Sequence, residues 1–292
     1  MWGWSVNEDM AFSILDCFYS HGYRHIDTAN NYPLNGIKND YHKSAMFISK
    51  WCKSRSVNDL KITYKIGSLF NSYSNENDLS PPFLSDQINR AIEIFAENLH
   101  IAMIHWDNRN NLNLIKRTIE FLNDYLIKNS LMFGISGIKN IDIYRIILSD
   151  MKISEVNIQS KHNFLYSDLN NYSCFSKINS KLWGYGISVG GLKLYSDDYN
   201  NNSYVSLTRE NNYHKNTLTK NIEILLRDII DSHDSINSLY HIATIFSEKE
   251  DRLHGYIVAP TNLKQMQDIL NFLANVNVND INLDSLKNLN KI

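Results

Sequence analysis

Short runs rich in β-branched and aromatic residues alternate along the chain with longer segments in which apolar residues recur every three or four positions. The short runs predict strands, and spacings such as Ala11, Ile14, Leu15 and Phe18 predict amphipathic helices. Strands that alternate with helices in this way indicate βαβ units and a parallel sheet. The predicted strands are 23–27, 61–65, 101–105, 131–135, 155–159, 182–185 and 256–259.

With a short stub at 1–4, the pattern contains eight predicted strands. Eight parallel strands, each followed by a helix, are typical of an α/β protein with the (β/α)8 TIM barrel fold. No proline- or glycine-rich linker and no internal repeat divides the chain, so residues 1–292 are predicted to form a single domain. Active sites of such barrels lie at the carboxyl ends of the strands. The long polar connections that would meet there are 28–41, 68–82, 106–111, 160–172 and 186–216.

The composition narrows the class of protein. The 292 residues carry 29 Lys and Arg against 31 Asp and Glu, a formal net charge of −2, which leaves no basic surface for nucleic acid or an anionic membrane. Hydrophobic residues make up 43%, enough for a core, yet no apolar run reaches the roughly 20 residues of a membrane helix. The first residues lack the features of a signal peptide, and three dispersed cysteines favour reduced thiols. We therefore expect a cytoplasmic protein that binds neither nucleic acid nor membrane.

Four ionisable residues stand at or just after the ends of successive predicted strands. Asp27 ends the second strand and Tyr32 follows it, while Lys65 and His105 end the next two strands. Each of these residues alone is more often structural than functional. Because a barrel brings adjacent strand ends into one pocket, the four together predict an active site.

The sequence resembles the aldo-keto reductases over about residues 2–275. The segment Asp27-Thr-Ala-Asn-Asn-Tyr32 is similar to the D-T-A-x-x-Y motif of that family, and Lys65 and His105 stand in its lysine and histidine strands. Any one motif is weak, whereas all of them in the same order form a specific signal. The segments that carry the resemblance are 2–5, 25–32, 62–67, 104–106, 134–136, 158–163 and 185–191.

Elementary chemistry supports the roles that the resemblance implies for these four residues. Reduction of a carbonyl requires a hydride and a proton, and tyrosine is a weak acid unless a cation stabilises its phenolate. Tyr32 is therefore the expected general acid, and Lys65 is expected to tune its pKa. Asp27 would hold the Lys65 ammonium, and His105 would position the carbonyl oxygen.

The resemblance also implies an NADP(H) cofactor, or possibly NAD(H), and a set of residues that bind it. Ser136 and Gln159 are expected at the nicotinamide carboxamide, and Tyr185 against its ring. Trp106 is expected to line the substrate pocket. The spacing of Cys and His residues fits no metal site, so we expect no metal, and the absence of G-x-G-x-x-G argues against a Rossmann cofactor site. The remaining expected cofactor contacts are Trp2, Gly190, Thr261, Asn262, Gln265 and Asp268.

The sequence departs from the family pattern at four places, one of which is Gly186-Ile187-Ser188, where the family has S-P-L. We expect a shortened first strand and no N-terminal hairpin to plug the barrel, so that either the true start lies upstream or other residues close the base. Gly137 stands where the family often has Asn. Relatives that prefer NADP commonly place a cation near the start of the last helix, but Pro260-Thr261-Asn262 has none before Lys264. We therefore expect NADPH to be accepted with weak discrimination against NADH.

The main prediction is thus the NAD(P)H-dependent reduction of an aldehyde or ketone, or the reverse oxidation of the corresponding alcohol. The polar connections of the chain favour a small polar or sugar-like biosynthetic intermediate as substrate. One alternative is a redox-silent nicotinamide-binding regulatory or partner subunit on the same barrel, because a fold does not settle a function. Another is a lyase or isomerase that uses Tyr32 and Lys65 without net redox change. The chain could act as a monomer or a homo-oligomer.

Overall fold

The computed structural model describes residues 1–72, 74, 76–151, 153–194 and 219–287. The predicted polar connection 186–216 therefore lies outside the described residues from 195 onwards. Contacts divide the chain into two compact units. The larger unit contains Met1–Ser160, Leu169–Trp183 and Ala259–Met266, and the smaller contains Lys161–Asp168, Gly184–Val258 and Gln267–Ile292.

The strands confirm a parallel α/β arrangement. β1 to β5 pair parallel in the order of the chain, and β7 and β8 continue that order. β6 forms an antiparallel pair with the end of β5. The strands are β1 (His25–Ala29), β2 (Lys61–Ile66), β3 (Leu99–Asp107), β4 (Met132–Ile138), β5 (Val156–Asn163), β6 (Tyr166–Ser167), β7 (Ser180–Tyr185) and β8 (Leu253–Tyr256).

The seven predicted internal strands overlap or adjoin β1 to β5, β7 and β8, with ends that differ by a few residues. The expected strand stub at 1–4, and with it a shortened first strand, is not confirmed. Trp2 makes a single bridge to Val6 across a turn at Gly3, whose φ is +84°. β6 was not predicted, since it is a two-residue strand held by a hairpin. There the Asn163 side chain accepts hydrogen bonds from the N–H groups of Leu165 and Tyr166.

Side-chain caps and proline fix where several helices begin. Asn7 accepts from the N–H of Met10, and Asn111 accepts from the N–H of Leu114, so each satisfies a free N–H of the first turn. Pro81 opens another helix, where its missing N–H costs nothing. The helices are α1 (Glu8–Ser20), α2 (Lys43–Arg55), α3 (Pro81–Phe95), α4 (Leu112–Lys128), α5 (Ile141–Asp150), α6 (Lys220–Asp231), α7 (Leu239–Glu248), α8 (Leu263–Asn275) and α9 (Asp284–Lys287).

Each unit has its own hydrophobic core. In the larger unit, the apolar faces of helices pack on the strands, as Leu84 and Ile88 of α3 do together with Ile62 of β2. In the smaller unit, Leu226 and Ile242 pack in a cluster that includes Phe272 of α8. These cores hold the strands in fixed register, which in turn fixes the positions of side chains at the strand ends.

A buried carboxylate fastens the end of β3 to the helices that follow. Asp107 is fully buried and accepts hydrogen bonds from the Arg109 side chain at 2.7 and 2.9 Å and from the Tyr144 hydroxyl at 2.6 Å. Arg109 also donates to Thr118 of α4. Burial and the Asp107 charge raise the pKa of Tyr144 well above its ordinary value, so the phenol remains a donor. This cluster joins β3, α4 and α5 directly after His105.

We expect Asp107→Ala to lower the free energy of unfolding by about 3 kcal/mol or more, because it leaves the Arg109 guanidinium without its buried partner. Urea unfolding followed by circular dichroism measures the change. Asp142→Ala is the matched control, since Asp142 also pairs with an arginine, Arg145, but its side chain is 87% exposed. A loss in Asp107→Ala no larger than the control's, about 0.5 kcal/mol or less, would contradict this account.

Candidate active site

The ends of β1 and β2 bring Asp27 and Lys65 together. Parallel pairing places Ala29 beside Lys65 and Asp27 beside Thr63. The Lys65 ammonium donates to Oδ2 of Asp27, and the two side chains are only 3% and 15% exposed. A lysine this deeply buried needs a counter-charge, because removing an ammonium from water is costly. The predicted Asp27–Lys65 pair is present in the structure.

Tyr32 lies over the buried ammonium. Nζ of Lys65 is 4.9 Å from the centre of the Tyr32 ring. The backbone holds the tyrosine in place, since its N–H donates to the Ala29 carbonyl and its carbonyl accepts from the N–H of Ser44. Burial alone would lower the pKa of Lys65, but the Asp27 carboxylate and Tyr32 outweigh it and hold that pKa above its ordinary value. The lysine is therefore charged beside the phenol.

His105 of β3 completes the predicted set of four. Its ring is 4% exposed, and its centre lies 6.1 Å from that of Tyr32 at an angle of 82°. Burial, aided by the Lys65 charge, holds the pKa of His105 well below its ordinary value. The imidazole is therefore neutral at neutral pH and carries a single N–H.

A line of hydrogen bonds extends from this group to two predicted cofactor residues. Gln159 of β5 donates from Nε2 to Oδ1 of Asp27 at 2.5 Å, and Oγ of Ser136 on β4 donates to Oε1 of Gln159 at 3.2 Å. Each oxygen of the Asp27 carboxylate therefore has its own donor. The sequence did not predict the Gln159–Asp27 bond, because the two residues stand 132 positions apart and no local pattern links them.

Trp106 covers one side of His105. The two rings stack with centres 4.2 Å apart, and Trp106 has a left-handed φ of +62°. Its indole occupies the space beside Gly137, where a Cβ would lie 2.5 Å from Cδ1 of Trp106. The departure from the family pattern at Gly137 thus has a physical reason, because a larger residue would displace the indole. Trp106 is half-buried, and its carbonyl accepts from the Asn77 amide.

Comparison with known proteins identifies the family. The sequence profile described as "Aldo/keto reductase family" matches residues 1–291. The chain belongs to the aldo-keto reductase family. The resemblance seen in its motifs is thereby confirmed.

Solved structures of the family share the fold of this chain. An aldo-keto reductase from Bacillus halodurans in its holo form superposes with a TM-score of 0.70 over 98% of this chain and 88% of its own, at 15% identity. Its apo form gives 0.63 over 97% and 86%, also at 15% identity. A curated relative, a probable aryl-alcohol dehydrogenase of Saccharomyces cerevisiae, is 42% identical over 55 residues. That match covers 19% of this chain and only 15% of the yeast protein.

Four of the other expected cofactor residues belong to the larger unit. Thr261 donates from its N–H and its hydroxyl to Oε1 of Gln265, and Asn262 accepts from the N–H of Gln265. These bonds build a closed turn at the start of α8. Trp2 packs against the core, and its carbonyl accepts from the Ser44 hydroxyl at 2.6 Å.

The last three expected cofactor residues belong to the smaller unit. Tyr185 ends β7 and is half-buried. Gly190 adopts a φ of +73° in a turn, a conformation that favours glycine. Asp268 of α8 lies 3.1 Å from Nε2 of His241, which is buried against the ring of Phe272.

Within the described ranges, no group of three His, Cys, Asp or Glu side chains could hold a metal ion. Over the same residues, no helix combines the length and apolar character needed to cross a membrane.

A largely buried polar layer consists of Asn30, Tyr41, His42, Tyr64 and Gln87, and the N–H of Asn30 joins it to the Lys65 carbonyl. The Asn30 amide donates to the Tyr41 hydroxyl, to the Gln87 side chain and to the carbonyl of Ser68. Nδ1 of His42 lies 2.7 Å from the Tyr64 hydroxyl. Burial raises the pKa of Tyr41 to about 12 and lowers the pKa of His42 to about 4. The layer is therefore uncharged at neutral pH, which suits its burial.

The low pKa of His42 predicts a loss of stability in acid. Unfolding frees His42 to bind a proton near pH 6.5, whereas the folded protein resists protonation down to about pH 4. The contribution of His42 to the free energy of unfolding is therefore fully present above pH 6.5 and is lost as the pH drops towards 4. The loss from His42 is up to about 3 kcal/mol.

Urea unfolding at several pH values tests this contribution. His42→Asn should flatten the loss between pH 6.5 and 4, and asparagine tolerates the left-handed φ of +67° at this position. His21→Asn is the control, because His21 is exposed. An equal pH dependence in His42→Asn and in the wild type would show that His42 is not the source.

Proposed function

We propose that this member of the aldo-keto reductase family reduces an aldehyde or ketone to an alcohol with NADPH or NADH, and can run the reverse oxidation. The observation that carries the proposal is the buried Lys65 ammonium, which is held between the Asp27 carboxylate and the Tyr32 phenol. A structural ion pair has no need of a tyrosine beside its ammonium.

Tyr32 is the proposed general acid. Its hydroxyl would donate a proton to the carbonyl oxygen as that oxygen gains negative charge, and the Lys65 ammonium would stabilise the phenolate that remains. Asp27 acts through Lys65, because it keeps the ammonium charged and fixed at the strand end. Tyr32 is half-buried, which leaves part of it open to a substrate.

His105 is proposed to orient the carbonyl. A neutral imidazole can donate one hydrogen bond to the substrate oxygen without competing with Tyr32 as an acid. Such a donor, held rigid by burial and by the stacked Trp106, would stabilise the charge that develops on that oxygen. Trp106 would then form one wall of the substrate pocket.

The residues at the strand ends fit a nicotinamide cofactor. The Ser136 hydroxyl and the Gln159 amide are buried and can both donate and accept, as a carboxamide requires. The turn of Thr261, Asn262 and Gln265 opens α8, whose first N–H groups suit a phosphate. When bound, the nicotinamide would supply the hydride that the carbonyl carbon receives. Tyr185, Gly190, Asp268 and Trp2 remain proposed contacts on the basis of the family resemblance.

We further propose a small polar or sugar-like carbonyl compound as substrate and the cytoplasm as the place of action. The connections 28–41 and 68–82, which follow β1 and β2, are polar in sequence, and this supports a polar ligand. The yeast relative is named a probable aryl-alcohol dehydrogenase, and this name describes the same class of redox chemistry. The intact set of four argues against a redox-silent subunit, since binding alone does not require a charged lysine beside the tyrosine.

Tyr32→Phe should abolish carbonyl reduction and leave cofactor binding intact. The variant keeps the ring but loses the proton donor, so kcat should fall by about 10²–10⁴-fold. The assay follows the absorbance of reduced nicotinamide with a panel of aldehydes and ketones, and cofactor affinity is measured by quenching of tryptophan fluorescence.

Tyr125→Phe is the control, because this tyrosine donates to Asn89 on neighbouring helices and has no part in the site. Turnover by Tyr32→Phe within about threefold of the wild type would remove Tyr32 from the acid role.

The start of α8 predicts weak discrimination between the two cofactors. In sequence, Lys264 is the only cation within the segment Thr261–Gln265. A missing arginine contact to the 2′-phosphate is worth about 1.5–3 kcal/mol, or roughly 10- to 150-fold in affinity. NADPH should therefore bind, but with a modest preference over NADH. Lys264→Ala should reduce that preference, while Lys53→Ala on α2 should not.

Fluorescence titration with both reduced cofactors measures the preference. A preference for NADPH of more than about 1,000-fold, unchanged in Lys264→Ala, would show that another basic residue binds the 2′-phosphate.

A further inference from the structure

Ser68 places a buried hydroxyl against the far side of His105. The residue follows β2 by two positions and is fully buried. Its Oγ lies 3.4 Å from Nδ1 of His105. Among the described residues, the Ser68 hydroxyl makes no other hydrogen-bonding contact. Neither the strand pattern nor the four predicted residues drew attention to this serine.

The backbone of Ser68 is fixed from three sides. Its carbonyl accepts from the Asn30 amide at 3.0 Å and from the Tyr41 hydroxyl, and the residue forms an antiparallel bridge with Asn77. The preceding Gly67 has a φ of +114°, and a Cβ there would lie 2.6 Å from the Leu79 side chain. The hydroxyl is therefore presented to His105 by a rigid frame.

The direction of this hydrogen bond decides which nitrogen of His105 carries the proton. The imidazole is neutral, so its single proton lies on Nδ1 or on Nε2. A proton on Nδ1 would donate to Ser68 and leave the serine proton buried without an acceptor. A proton on Nε2 lets Ser68 donate to Nδ1, which satisfies the serine. Buried donors without acceptors are rare in proteins, so the second arrangement is favoured.

We propose that Ser68 is a positioning residue that holds His105 in the Nε2–H tautomer, so that Nε2 is free to donate to the carbonyl oxygen of the substrate. The inference rests on the proposed function for its consequence, but the tautomer itself can be measured without any turnover. Ser68 acts only through His105 and does not touch the reacting atoms.

The first experiment is ¹⁵N NMR of protein labelled in its histidines, at a pH where His105 is neutral. Loss of a resonance in His105→Gln assigns His105 among the ten histidines. The wild type should show a protonated Nε2 and an unprotonated Nδ1. Ser68→Ala and Ser68→Gly, which remove the hydroxyl without adding volume, should shift the tautomer ratio towards Nδ1–H by about three- to tenfold, as expected for one hydrogen bond.

Ser160→Ala is the matched control. Ser160 is a buried strand serine whose hydroxyl has no hydrogen-bond partner among the described residues, so its removal should leave the His105 tautomer unchanged. Ser68→Thr keeps a hydroxyl and should keep the wild-type tautomer. Circular dichroism identifies the variants that fold, and either Ser68→Ala or Ser68→Gly suffices.

Kinetics then test the consequence for the reaction. In the same variants kcat should fall about three- to tenfold with KM for the nicotinamide unchanged, and Ser68→Thr should restore it. If the wild type reduces no carbonyl compound, the proposed function is contradicted, but the tautomer result still stands. Protonated Nδ1 in the wild type, or the same tautomer ratio with and without the Ser68 hydroxyl, would overturn the role of Ser68.

Discussion

The buried ion pair of Asp27 and Lys65 is the interaction on which the rest of the site depends. An ammonium that is 3% exposed would lose its proton or disrupt the fold without a carboxylate beside it. The pair holds the lysine in its charged form beside Tyr32, and this charge adds to the burial that holds the pKa of His105 well below its ordinary value. One ion pair thus fixes the charge on which the proposed roles of Tyr32 and His105 depend.

The parallel strands make this contact possible because they end side by side in register. Oδ1 of Asp27 accepts from Gln159 of β5, while Oδ2 accepts from Lys65 of β2, so the carboxylate is held from two directions. Ser136 and Ser68 extend the hydrogen bonds outwards to β4 and to the connection after β2. These polar groups can be buried together because each of them has a hydrogen-bond partner on a neighbouring side chain.

The sequence was sufficient to predict the strand order and the four central residues, because chemistry-bearing side chains at successive strand ends must meet in a parallel sheet. It was insufficient for contacts that depend on exact register and rotamer. The Gln159–Asp27 bond joins distant strands, the Ser68 contact depends on the positive φ of Gly67, and the indole of Trp106 depends on the absence of a side chain at Gly137. The stub expected at residues 1–4 was not confirmed, since an apolar, tryptophan-rich segment can equally form a turn.

The central claim is that Lys65 makes Tyr32 a stronger acid, and NMR titration of tyrosines labelled with ¹³C at Cζ tests it most directly. Tyr32 is assigned among the 17 tyrosines by its absence from Tyr32→Phe. The account predicts that Tyr32 ionises at a lower pH than an exposed tyrosine, and that its midpoint rises by about one pH unit or more in Lys65→Met. An identical midpoint in the wild type and in Lys65→Met would contradict it.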